Sequence, residues 1–85
     1  MEKQKIHFNL IFRSEPEGGF TVSVPALPGC ISYGRTLDEA REKSGDAIVG
    51  YIKSLQKHGE EIPHDEKSYI ASFDFDLNRH YASSS

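Results

Sequence analysis

Apolar and polar positions alternate at the start of the chain. Ile6, Phe8, Leu10 and Phe12 share one parity, with His7, Asn9 and Arg13 on the other. A period of two predicts a half-buried strand from Ile6 to Arg13, in which only Ile11 breaks the pattern. Ser14-Glu15-Pro16-Glu17-Gly18-Gly19 then supplies turn residues. Phe20, Val22 and Val24 alternate with Thr21 and Ser23, a second strand, so the two runs read as a hairpin. Pro25-Ala26-Leu27-Pro28-Gly29-Cys30 follows. Pro28-Gly29 fits the central pair of a type II turn, because proline pre-sets the first φ and glycine supplies the positive second one. Ile31 to Gly34 is a short third strand with Ile31 and Tyr33 on one side.

The period then changes. Thr36-Leu37-Asp38-Glu39 matches a capping box, in which the Thr36 hydroxyl accepts from the Glu39 amide and the Glu39 carboxylate reaches back to the Thr36 amide. Asp38 and Glu39 also complement the positive end of the helix dipole. Leu37, Ala40, Ser44, Ala47, Ile48, Tyr51, Ile52 and Leu55 fall on one stripe at 100° per residue. Lys57 and His58 sit in the last turn, and Gly59 follows as the residue after the cap. The helix predicted from Leu37 to His58 is about 33 Å long at 1.5 Å per residue. Gly45 and Gly50 inside it each cost roughly 1 kcal/mol relative to alanine, which a close neighbour would explain. Val49 lies off the stripe as an exposed aliphatic residue.

Gly59 to His64 is a loop. Tyr69, Ala71, Phe73 and Phe75 alternate with Ser72 and Asp74, a fourth strand. The expected architecture is therefore α+β in two layers, β-β-β-α-β, with one long amphipathic helix on a four-stranded, mainly antiparallel sheet. His7, Asn9, Thr21, Ser23, Ser32 and Asp74 would make the other face of that sheet polar. Residues 1–77 form the expected domain, and residues 78–85, which end in Ser83-Ser84-Ser85, an expected disordered tail.

Composition narrows the function. The chain has 85 residues, 36% hydrophobic and 27% charged, enough for one small domain and too few for paired substrate and cofactor domains. Thirteen acidic residues against 10 basic ones leave a net charge of −3, unlike the basic footprint of a nucleic-acid binder. Cys30, the single cysteine, excludes an intramolecular disulfide and a cysteine-based zinc site. No run is long and apolar enough to span a bilayer, and the first residues lack a signal-peptide core, so a cytoplasmic location is expected.

Candidate chemistry is sparse. Asp74 and Asp76, two residues apart on one strand face, could contribute to a divalent cation site, but a carboxylate pair falls short of the required ligand count. A solvated, charged strand edge explains them as well. His7, His58, His64 and His80 form no ligand-spaced pair. Gly18-Gly19 is followed by a strand and not by a phosphate-binding helix. No cofactor or catalytic residue is expected.

The run Phe20-Thr21-Val22-Ser23-Val24-Pro25-Ala26-Leu27-Pro28-Gly29-Cys30, followed by Ser32-Tyr33-Gly34 and Thr36-Leu37-Asp38-Glu39-Ala40, resembles the HicB-like antitoxin family. The resemblance covers Ile6 to Pro63 and extends toward Phe75. It implies a degenerate ribonuclease H-like domain and a small basic HicA-type mRNA-cleaving toxin as partner. It also implies homodimers or larger even-numbered assemblies. Pro25, Pro28, Gly29, Gly34, Thr36, Glu39 and Gly59 read as a structural signature. Full-length members often add a C-terminal DNA-binding domain. About ten residues follow Phe75 here, so no specific DNA binding by this chain alone is expected.

The leading expectation is a binding module that masks the toxin's active site. Its partner-binding residues would be Glu15, Glu17, His7 and Asn9, the acidic pair steering a basic protein. One alternative is a metal-dependent nuclease on a ribonuclease H-like sheet, which needs clustered carboxylates around two metal ions. Phe8-Asn9-Leu10-Ile11 offers none in the first strand. The other is a self-associating domain without a toxin. The short third strand carries no charge to protect its edge, which favours a twofold homodimer.

Overall fold

A computed structural model describes residues 5–78. Three strands and one helix follow in order: β1 Ile11–Ser14, β2 Phe20–Ser23, β3 Ile31–Gly34 and α1 Leu37–Lys57. The strands form an antiparallel sheet in the order β1-β2-β3. Phe12, Val22 and Ser32 lie in register, as do Ile11, Ser23 and Ile31 on the next row. The helix covers one face. The architecture is α+β, with a sheet of three strands where four were expected.

Both strand discrepancies have a local cause. β1 pairs only from Ile11, not from Ile6. The chain leaves β2 at Val24, whose amide donates to Cys30 O at 3.1 Å, so the residues before Ile11 have no strand opposite them. Phe8 and Leu10 nevertheless pack on the core, as their parity required. The expected fourth strand, Tyr69 to Phe75, does not form. Asp65 N donates to His7 O at 2.8 Å, and Asn9 Nδ2 donates to Ser68 O at 3.3 Å, which brings the loop beside the chain leading into β1. Beyond Ser68 the segment turns into solvent, with Tyr69 90% and Phe73 82% exposed. Alternation identifies a two-faced segment, but pairing needs a neighbour that local sequence does not specify.

The core is built on the proline-glycine segment. Leu27 N donates to Val24 O and Cys30 N to Leu27 O, both at 2.9 Å, so two tight turns follow one another. Gly29 has φ of 82°, as the second central position of the expected type II turn requires. The two turns drive Leu27 into the interior, where it is fully buried beside Val24 and Cys30. Phe8, Leu10, Ala47, Ile48, Tyr51 and Leu55 pack around this cluster. Complete burial of a side chain such as Leu27 contributes about 1.5–3 kcal/mol. Tyr51 Oη donates to Pro28 O at 2.9 Å and ties the turn to the helix.

The helix ends as its sequence dictates. Thr36 Oγ1 accepts from Glu39 N at 3.0 Å. The return bond differs from expectation: Glu39 Oε1 accepts from Arg35 N at 3.0 Å, one residue before the cap. At the other end Gly59, φ 68°, donates to Gln56 O and Glu60 N to Leu55 O, a complete Schellman closure after the cap residue His58. Gly34 is buried where β3 meets the helix start, and a Cβ there would fall inside the backbone of Ala40. Gly45 and Gly50 face open space, so no close neighbour accounts for them.

Candidate functional site: the uncovered face of the sheet

Helix α1 covers one face of the sheet, and the register fixes what the other face carries. Gly34 lies flat against Ala40. Ser32, of the same parity, therefore also faces the helix, and its hydroxyl donates to Lys43 O at 3.4 Å. Ile31 and Tyr33 are left on the outside, 62% and 48% exposed. This corrects the expected placement of Ser32 on the outer face. Thr21 and Ser23 do lie there, but between apolar neighbours: Ile11, Ser23 and Ile31 form one cross-strand row, and Arg13, Thr21 and Tyr33 the next. A shallow depression of about 250 Å³ lies between Ile11, Arg13, Thr21, Ser23 and Ile31. Ile11, the residue that breaks the first alternation, belongs to this exposed row.

The hairpin end of this face is acidic and tightly bonded. Glu15 accepts from the Thr21 hydroxyl and from Arg13 Nε, the latter at 3.3 Å. The Thr21 hydrogen bond is the main influence holding the Glu15 carboxyl below its ordinary range. Partial desolvation opposes it, and Arg13 reinforces it. Tyr33 Oη donates to Gly18 O at 2.9 Å, bracing the turn against β3. A cleft of about 460 Å³ lies between Arg13, Glu15, Glu17, Gly18, Thr21 and Tyr33, which brings Glu15 and Glu17 together.

His7 and Asn9 do not join them. His7 Nε2 and Asn9 Oδ1 are 3.0 Å apart. The Asn9 amide donates to Asp65 Oδ2 at 3.0 Å, so this pair anchors the loop after the helix. Asn9 lies six positions before Glu15, about 20 Å along an extended chain. The expected partner-binding residues therefore fall into two groups, an acidic hairpin end and a loop anchor. Sequence reasoning missed Ile11, Arg13, Ile31 and Tyr33, for which the off-parity Ile11 was the one local signal.

Among the described residues no three His, Cys, Asp or Glu side chains converge where they could hold a metal ion. Cys30 is buried, and desolvation pushes its thiol pKa up, which makes it a poor nucleophile. No helix of the described residues is long and apolar enough to cross a membrane. The face carries an apolar stripe, Ile11, Ile31 and Tyr33, with a charged end.

A sequence model described as the HicB-like antitoxin of bacterial toxin-antitoxin systems matches residues 8–81. The chain belongs to the HicB-like antitoxin family. A UPF0150 protein of Thermoplasma acidophilum is 43% identical over 63 residues, which is 74% of this chain and 91% of that protein. A UPF0150 protein of Synechocystis is 33% identical over 64 residues, 75% of this chain and 81% of its own length. A 14.9 kDa protein from the rep-hol intergenic region of Haemophilus phage HP1 is 44% identical over 45 residues, 53% of this chain and 34% of that protein. Membership in the HicB-like family gives the chain a role in a toxin-antitoxin system, and with it a toxin partner.

Proposed function

We propose that this chain neutralises a small, basic, HicA-like mRNA-cleaving toxin by laying the uncovered sheet face over the toxin's active site. The observation that carries the reading is the cross-strand row of Ile11, Ser23 and Ile31, which stands outside the helix-covered core beside the acidic Glu15–Glu17 hairpin. The apolar row supplies contact area. Glu15 and Glu17, in a chain of net charge −3, steer a cationic partner and set its orientation. The reading needs no reaction by the antitoxin itself, because occlusion of the toxin suffices. It places the pair in the cytoplasm, where messenger RNA is.

The same reading includes a homodimer and no specific DNA binding by this chain alone. The helix is held to the sheet by its apolar stripe, so only its outer face is open to DNA. Its outer face mixes Asp38, Glu42 and Asp46 with Arg41, Lys43 and Lys53 and has no net positive field. Co-purification with the product of the adjacent gene tests the proposal. A stable complex with a small basic protein is expected. Absence of any such complex, with both chains folded, would reject it.

A further inference from the structure

A second surface lies on the opposite side of the molecule from the open sheet face. The outer edge of β1 pairs with no strand among the described residues. Beside it, between residues 6–10 and the first half of α1, runs a groove of about 690 Å³. Ile6, Phe8, Leu10 and Ile48 give it an apolar floor, Asp38, Arg41 and Glu42 give it a charged rim, and Gly45 in its wall presents no side chain. A sheet edge next to an apolar floor is the place for one more strand.

The chain also carries a segment of matching chemistry. Tyr69, Ala71, Phe73 and Phe75 share one parity, against Ile70, Ser72 and Asp74 on the other. This is the pattern of a strand with one apolar face. Tyr69 and Phe73 are nonetheless almost wholly in water. The segment leads away from the body, and the described chain measures 60 Å along its longest axis against 33 Å and 23 Å along the others. Phe73 meets Phe75 edge-on, with ring centroids 6.4 Å apart, as two residues of one parity can.

We infer that the segment from Tyr69 to Phe75 is exchanged between two copies, each adding it as a fourth strand on the β1 edge of the other and seating Phe73 in the groove against Ile48. A foreign strand in the groove would leave the chain's own Tyr69 and Phe73 in water. A second copy satisfies edge and segment in both chains at once, and the twofold arrangement closes. The loop anchors at Asp65 and Ser68 mark where the segment departs. This inference rests on the self-association proposed above and specifies its geometry.

The test is the mass of the full chain in solution, by light scattering and native mass spectrometry at micromolar concentration. The expected mass is twice the 9.5 kDa monomer. Phe73→Asp removes the donor anchor from an exposed position, and Gly45→Leu fills the acceptor groove at a helical site with open space. Each is expected to weaken the dimer at least tenfold while far-UV circular dichroism stays unchanged. Mixing the two variants is expected to restore a heterodimer, because one intact donor then meets one intact groove. A monomeric wild-type chain overturns both the exchange and self-association. A dimer indifferent to either substitution, or no recovery on mixing, overturns the exchange and leaves self-association standing.

Discussion

The Tyr51 hydroxyl reaches across from the helix to the carbonyl of Pro28 at 2.9 Å, so the middle of α1 is fastened to the tip of the turn that buries Leu27. Tyr51→Phe removes this bond and keeps the ring. The freed carbonyl can take water, so the loss is expected to be modest, about 0.5–1 kcal/mol by urea denaturation.

Two glycines make opposite predictions. Gly34→Ala drives a methyl group into the Ala40 backbone, and with no flexible side chain to yield it should cost about 1–3 kcal/mol. Gly50→Ala meets nothing within 4 Å and replaces a poor helix former, so it should stabilise by about 0.5–1 kcal/mol. Thermal unfolding of the two variants side by side checks both signs.

The helix, its Thr36 cap, the Gly59 closure, the β1–β2 hairpin and the Pro28-Gly29 turn were legible because each depends on neighbours within a few residues. Which side of β3 faces inward was not. Ile31 and Tyr33 look like core residues, yet the backbone contact of Gly34 with Ala40 turns Ser32 inward instead. That contact links strand to helix and leaves no mark in the alternation. The strand expected at Tyr69–Phe75 failed for the complementary reason, since its pattern describes the segment and says nothing of a partner edge. Glu15 and Glu17 could be picked out as turn carboxylates. The Arg13 and Thr21 that hold Glu15 emerge only from the register pairing Arg13 with Thr21.

Glu15 gives a pH signature. Its carboxyl titrates below the usual value of 4.5, so its favourable bonds are present above that pH and are lost as pH falls through the folded-state value. Thr21→Val deletes the main cause, the hydroxyl hydrogen bond. A carboxyl-detected NMR titration should then show the Glu15 midpoint moved upward, toward 4.5. A midpoint left in place would contradict the assignment.

In the proposed complex the outer row of the sheet covers the toxin. RNA cleavage by the toxin, titrated with wild-type chain and with Ile31→Lys, tests it most directly. Ile31 is 62% exposed on an outer strand, so its replacement leaves the fold intact. The wild-type chain should abolish cleavage at stoichiometric amounts, and Ile31→Lys should need at least tenfold more. Equal inhibition by both chains, or continued cleavage at saturating wild-type chain, would contradict the claim.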